Sequence, residues 1–239
     1  MNPDLCRAIL ETDITALDIQ SLGYRREQLT NMRQLLDNPG YFEDQKLSLG
    51  ENKGPEDVWQ NFFESNQWIF GFALDYAIGE GAIAEKLEQV VAGADIGGAG
   101  KRVDALLRTR GIVQSLCYVE IKRHDTKLVT HSPYRKPDVF RPSAELSGGI
   151  AQSQKTVQKA MERLGTEMQG KYNYSPRAVL VCGSLSEFVG DDDQIDEEMF
   201  SSFELFRRNV PFPDIVTFDE LYERAHAVVE SGIDKRKTT

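Results

Sequence analysis

Cysteine is scarce in this 239-residue sequence: Cys6, Cys117 and Cys182 stand far apart and form no Cys-x-x-Cys pair. That spacing excludes a disulfide framework and a zinc knuckle, fits a reducing cytoplasm, and leaves the thiols as core packing. The three histidines, His124, His131 and His226, have no metal-ligand spacing either. Positive charge is in deficit, with 28 Lys and Arg against 38 Asp and Glu and a net charge of −10 at pH 7, so the chain is not coated in positive charge. Long hydrophobic runs are missing: the longest, WIFGFAL at 68–74, is far short of the ~20 residues that span a bilayer. The opening MNPDLCRAILETD lacks the basic start and apolar stretch of an export signal, so the expected location is the cytoplasm, away from any membrane. With 40% hydrophobic and 28% charged residues, the chain is rich enough to build one large globular domain or a domain with an appendage.

The overall acidity hides an asymmetry. Residues 101–177 hold 15 Lys or Arg against 7 Asp or Glu, whereas residues 183–204 hold eight acids and no basic residue. The basic island reads either as ordinary solvated surface or as a phosphate-binding face, and the acidic stretch is expected to face solvent, away from any polyanion.

Local patterns predict the elements. The first 50 residues read as a helical segment around Arg25 to Leu36, then a turn at Asp37-Asn38-Pro39-Gly40 and a polar stretch. Pro55 suits the first position of a helix whose Glu56 and Asp57 favour its dipole and whose Val58, Trp59, Phe62 and Phe63 recur at helical spacing. A short helix is expected near Ala82 to Val91. The following glycine-rich stretch up to Gly100-Lys101 fails the phosphate-loop spacing and reads as a flexible connection. Val103 to Leu107 and Leu116 to Lys122 read as an antiparallel strand pair. A long proline-bearing loop, Arg123 to Pro142, leads to a helix from Ser143 with Leu146, Ile150 and Val157 on its apolar face and Gln152, Lys155, Lys159 and Arg163 on a polar, largely basic one. Arg177 to Cys182 reads as a buried strand. Ile215-Val216 is a strand running into a capping box, Thr217 to Glu220, that opens a last helix through about Glu230. The resulting fold class is α/β, a mixed β-sheet flanked by helices.

Chemistry concentrates on one strand. Side chains alternate, so Glu120 and Lys122 share a face while Ile121 points into the core. Asp104, on the neighbouring strand, adds a second carboxylate. Two carboxylates suit a hard divalent cation that polarises a phosphoryl oxygen and acidifies water, while the lysine orients that water or stabilises charge. The bare pattern acid-x-Lys recurs at Asp44 to Lys46, Glu51 to Lys53 and Asp125 to Lys127; only the Glu120 copy lies in an apolar strand. A solvated edge strand would carry the same letters. If Asp104 and Glu120 face each other, position 105 pairs with 119, whereas a tight turn at Arg110-Gly111 would pair 105 with 116 and part the acids by ~10 Å. Tyr134 and Phe140 in the loop read either as base-stacking groups or as anchors that pack the loop down.

Asp104, Glu120-x-Lys122 and a following helix with Gln152 resemble the PD-(D/E)XK nuclease superfamily, although Val103 stands where the literal proline would, and Pro137-Asp138 and Pro213-Asp214 come too late in the chain. PEDVWQNFFESNQWIFG, KRVDALL, YVEIKR, AELSGGIAQSQK, RAVLVCG, FELFRRN and IVTFDELYERA together resemble the Shedu anti-phage nuclease domain. The resemblance implies a restriction-endonuclease-like core and a prokaryotic defence protein that cuts DNA with a divalent metal, Mg²⁺ with Mn²⁺ substituting, commonly as a homo-oligomer. Asp104 and Glu120 would then be metal ligands, Lys122 the catalytic lysine, Gln152 a helix glutamine near the site and Glu64 a helix acid completing it. On the helical wheel, Glu64 instead lies opposite the aromatic face.

The expected organisation is therefore an N-terminal helical segment at 1–50, a nuclease domain at 51–232 and a flexible basic tail at 233–239. Lys101, Arg123, Lys155 and Lys159 are the candidate nucleic-acid contacts. A non-cleaving nucleic-acid-binding module and an RNase share every one of these features.

Overall fold

A computed structural model of the chain describes residues 16–66, 68–73, 105–108, 116–167, 176–190 and 192–234. Two helices come first among the described residues, α1 (Ala16–Asp37) and α2 (Pro39–Leu49). The second corrects the expected turn and polar stretch. Asn38 Oδ1 accepts from the Tyr41 amide at 3.1 Å and Pro39 occupies the first turn, so letters that spell a turn here start a helix. Helix α3 (Pro55–Ser65) begins as expected: Asp57 Oδ2 accepts from the Gly54 amide at 2.7 Å, and Lys53 Nζ lies 2.9 Å from Asp57 Oδ1. A short helix α4 (Trp68–Ala73) follows. The helix expected at 82–91 and the glycine-rich stretch up to 101 lie outside the described residues.

Among the described residues, four strands form one sheet in the order β1 (Ala105–Arg108), β2 (Leu116–Ile121), β3 (Arg177–Val181) and β4 (Asp214–Val216). β1 runs antiparallel to β2, while β2, β3 and β4 are parallel, so the sheet is mixed, as expected. The crossover from β2 to β3 carries α5 (Ala144–Glu167). Ser143 caps α5: its Oγ accepts from the Leu146 amide at 3.0 Å, and its own amide donates to Leu128 O at 3.0 Å.

The crossover from β3 to β4 carries a helix that the charge count concealed, α6 (Glu197–Arg208). Asp196 Oδ1 caps it through the Met199 amide, Glu197 and Glu198 sit in its first turn, and Phe203 is fully buried. The acidic stretch thus keeps most of its carboxylates in solvent while its aromatic residues join the core. The last helix, α7 (Phe218–Asp234), starts at the expected place and runs past Glu230. At its start, Glu220 Oε2 accepts from both the amide and the hydroxyl of Thr217, and the same carboxylate pairs with Arg207 on α6.

Alternation along the strands sorts the core into two halves. Cys117, Val119, Ile121, Val179 and Val181 face one way and pack with Leu29, Met32, Phe42, Trp59, Phe63 and Phe218, so the N-terminal helices share a core with the sheet. Leu180, Cys182 and Ile215 face the other way and pack with Leu146 and Ile150 of α5, Phe203 of α6, and Leu128 and Val129 of the long loop. Burial pushes the thiols of Cys117 and Cys182 up to about 12, which makes both inert core groups. Gly183 ends β3 at φ +65°, where a Cβ would meet Thr126 O and Leu128 Cδ2 at 2.6 Å; glycine lets the loop after β2 close onto the end of β3.

Candidate active site

The even-numbered positions of β2 carry polarity onto the α5 face of the sheet. Tyr118 and Glu120 are buried and Lys122 follows just past the strand end, its amide donating to Val181 O at 2.8 Å. Lys122 Nζ donates to Glu120 Oε1 at 2.8 Å, with the side chains only 12% and 7% exposed. From α5, Gln152 closes the cluster: its Oε1 accepts from Lys122 Nζ at 3.1 Å and its Nε2 donates to Glu120 Oε1. A carboxylate, an ammonium and a bidentate amide therefore interlock where β2 ends beneath the third turn of α5.

Backbone proximity makes this possible. A Cβ on Gly149 would lie 3.1 Å from both Leu180 methyls and 3.6 Å from Lys122 Cε, so glycine sets how closely α5 approaches the sheet. One turn later the helix presents Gln152, and Lys155 and Lys159 continue the same stripe at i+3 and i+7. Holding an ion pair at this depth costs several kcal/mol per ion before attraction and hydrogen bonds offset it, which is costly for structure alone. The Tyr118 hydroxyl, on the same strand face, is buried without a hydrogen-bond partner among the described residues.

The register bears on the second carboxylate. Ala105 pairs with Val119 and Arg108 with Leu116, the pairing expected for a site that needs positions 104 and 120 opposed; a tight turn at Arg110-Gly111 would have paired 105 with 116. Asp104 itself lies outside the described residues, as does Lys101. Glu120 is thus the described metal-ligand candidate, a hard oxygen donor of the kind that Mg²⁺ or Mn²⁺ takes. Among the described residues, no three His, Cys, Asp or Glu side chains group to hold an ion.

A family model for the C-terminal part of the Shedu protein SduA matches residues 53–222, which include the strand pair, the Glu120 to Lys122 strand end and the helix bearing Gln152. The chain belongs to the Shedu SduA C-terminal family. It is also similar to the Shedu protein SduA of Bacillus cereus (strain B4264), 26% identical over 212 residues, covering 84% of this chain and 51% of that protein. The chain spans about half the length of that curated relative.

Within this Shedu domain the other candidates fall in different places. Glu64 is exposed on α3 and accepts from Gln60 Nε2 at 3.1 Å. Val58, Trp59, Phe62 and Phe63 turn the apolar face of α3 toward the half of the core opposite α5, and Glu64 stands exposed, where the helical wheel puts it. Arg123 is exposed and tied to Asp125, its Nε donating to Oδ1 at 2.8 Å and a second guanidinium nitrogen to Oδ2, which neutralises much of its charge toward a phosphate. Lys155 is exposed and donates to Gln158 Oε1 at 2.9 Å, and Lys159 is half-buried. His124 packs among Phe42, Trp59 and Phe218, and its Nδ1 accepts from the Trp59 indole at 3.0 Å. That contact requires a neutral ring, in line with burial, which lowers its pKa, and it makes His124 a core group. Gly149 escaped the sequence reading: a glycine pair in an amphipathic helix is the only signal it leaves.

Proposed function

We propose that this chain is the metal-dependent nuclease domain of an anti-phage defence protein and hydrolyses DNA phosphodiester bonds on a restriction-endonuclease-like core. The observation that carries the reading is the buried Glu120, Lys122 and Gln152 cluster. Membership of the Shedu family and the pairing of Ala105 with Val119, the register expected if positions 104 and 120 are opposed, support it.

Glu120 and Asp104 are the residues that would hold the cation, Mg²⁺ or Mn²⁺. Bound there, it supplies Lewis acidity to a phosphoryl oxygen and lowers the pKa of water. Glu120 fits the role because its carboxylate is buried and fixed from two sides. Lys122 brings a positive charge beside it in a poorly hydrated pocket, where a charge acts on a phosphorane-like transition state more strongly than in water. Gln152 holds the Lys122 ammonium on one oxygen and restrains the carboxylate with its amide, so neither has to reorganise during the reaction. Lys155 and Lys159, further along the same stripe of α5, extend the site as a track for backbone phosphates. The duplex lies along α5, away from the acidic start of α6, and the working protein is a homo-oligomer.

The test is cleavage by the full chain of supercoiled plasmid, linear duplex and RNA with Mg²⁺ or EDTA. Mg²⁺-dependent nicking of DNA is the expected result. Retention of DNA with no cutting in Mg²⁺ would overturn the catalytic reading, and cleavage of RNA alone would overturn the substrate.

A further inference from the structure

The long loop between β2 and α5 is an ordered finger. Thr130 N donates to Arg141 O at 3.0 Å, Tyr134 N to Val139 O at 2.8 Å and Val139 N to Arg135 O at 3.0 Å, and Val129 pairs with Pro142 as Arg135 does with Val139. Its base is fastened to the core. Leu128 and Val129 are buried, the Leu128 amide donates to Glu187 Oε2 at 2.7 Å, and the Phe140 amide donates to Ser202 Oγ at 3.2 Å while that hydroxyl donates to Asp138 O.

The finger has two aromatic side chains, and the structure gives them different jobs. Phe140 packs against the α5-side core and anchors the finger. Tyr134 is 74% exposed, and among the described residues its hydroxyl has no hydrogen bond and its ring no aromatic or cationic neighbour. Beside it, Arg135, Lys136 and Arg141 are exposed and form no ion pair among the described residues, and Asp138 is the one acid between residues 129 and 142. One root of the finger follows Lys122 along the chain and the other enters α5 two turns before Gln152.

We propose that this finger binds an unpaired nucleotide near the cleavage site, stacking its base on Tyr134 and holding the flanking phosphates with Arg135, Lys136 and Arg141; this rests on the reading of the domain as a DNA nuclease. An exposed ring held on a fixed backbone stacks on any base face and forfeits little freedom in doing so, while a base inside a duplex already has stacking partners on both sides. The cations set the kind of partner, because a ring flanked by free guanidinium and ammonium groups suits a polyanion. The neighbouring groove is of a different character: Val139, Phe140, Ile195, Phe200 and Leu205 line it with Glu197 and Glu198, and Tyr134, Arg135 and Lys136 take no part in it. At ~3.3 Å per residue, the tip lies no more than about 20 Å from its root, and the root lies about two helical turns, ~11 Å, from Gln152, so the stacked base falls within about nine nucleotides of the phosphate at Glu120, at ~3.4 Å per nucleotide.

The experiment compares binding of a blunt DNA duplex and the same duplex with a single-stranded overhang carrying 2-aminopurine, in EDTA, for the full chain and its variants. Wild type should prefer the overhang and change the 2-aminopurine fluorescence. Tyr134→Ala should weaken overhang binding by about tenfold, leave blunt binding unchanged and abolish the fluorescence change, while Tyr134→Phe retains both. Arg135→Glu with Lys136→Glu should weaken both substrates and flatten their salt dependence. Wild-type overhang binding in Tyr134→Ala, with blunt binding intact, would overturn the finger alone; failure of wild type to bind either DNA would overturn it together with the nuclease reading. A changed oligomeric state in Tyr134→Ala would reassign the finger to contacts between copies of the chain.

Discussion

Replacing Gly149 by alanine sets two effects of opposite sign against each other. In a helix interior, alanine is favoured over glycine by about 1 kcal/mol. The new methyl, however, meets both Leu180 methyls at 3.1 Å and Lys122 Cε at 3.6 Å, so α5 or the leucine must shift by a few tenths of an ångström. Crowding of this kind in a packed core costs about 1–3 kcal/mol, and the net expectation is a loss between about zero and 2 kcal/mol. Gly148, one residue earlier, is exposed with nothing within 4 Å of its would-be Cβ, and Gly148→Ala should therefore keep the full gain of about 1 kcal/mol. At about 2–4 °C per kcal/mol, the two variants should separate clearly in a thermal melt. Activity should separate them as well. A misplacement of 1 Å costs about a hundredfold, so the smaller shift imposed on Gln152 should slow Mg²⁺-dependent plasmid nicking by about fivefold. Equal stabilisation by both alanines, with undiminished nicking in Gly149→Ala, would refute the claim that this glycine sets the α5 approach.

Three further outcomes follow from other parts of the molecule. Charge reversal at Lys155 and Lys159 should weaken DNA binding in gel shift and flatten its salt dependence, whereas Asp192→Asn with Asp193→Asn should not; the opposite pattern would move the interface to the acidic surface. Tyr118→Phe removes a buried hydroxyl that has no partner among the described residues and should raise stability by about 1 kcal/mol in denaturant unfolding, while a loss of stability would show that the hydroxyl is bonded. His124 is held neutral, with its folded pKa below the unfolded one, so its contribution is complete above the unfolded pKa of about 6.5 and declines as pH falls through that value toward the folded one. The wild-type stability loss between pH 7 and pH 5 should accordingly shrink in His124→Phe, and an unchanged pH profile would contradict the buried neutral ring.

Much of the framework was legible because single local signals sufficed. The alternation at Leu116 to Lys122, the apolar run at Arg177 to Cys182 and the caps at Ser143 and Asp57 each specify an element without help from the rest of the chain. Where two structures share one chemistry, the sequence misled. Asn-Pro-Gly serves a turn and a helix start equally well, so α2 read as a turn, and the acids of 191–198 masked the apolar spacing of Met199, Phe200, Phe203 and Phe206 that makes α6. In the site, strand alternation was enough to bring Glu120 and Lys122 together. Gln152 needed a resemblance, because nothing local tells a glutamine facing a lysine from one facing water. The closeness of α5 to β2, which Gly149 permits, is a property of two segments at once and has no one-dimensional signature. For Glu64 the helical wheel, a local argument, agrees with the placement that the structure shows.

The central claim is that Glu120 serves a metal and Lys122 serves the reaction. It is tested most directly by calorimetric Mn²⁺ titration paired with plasmid nicking for folded Asp104→Asn, Glu120→Gln, Lys122→Ala and Glu64→Gln. Both carboxylate variants should lose metal binding and cutting by orders of magnitude, Lys122→Ala should lose cutting while retaining much of its metal affinity, and Glu64→Gln should resemble wild type in metal binding. Wild-type cutting rates in Asp104→Asn and Glu120→Gln would contradict the account.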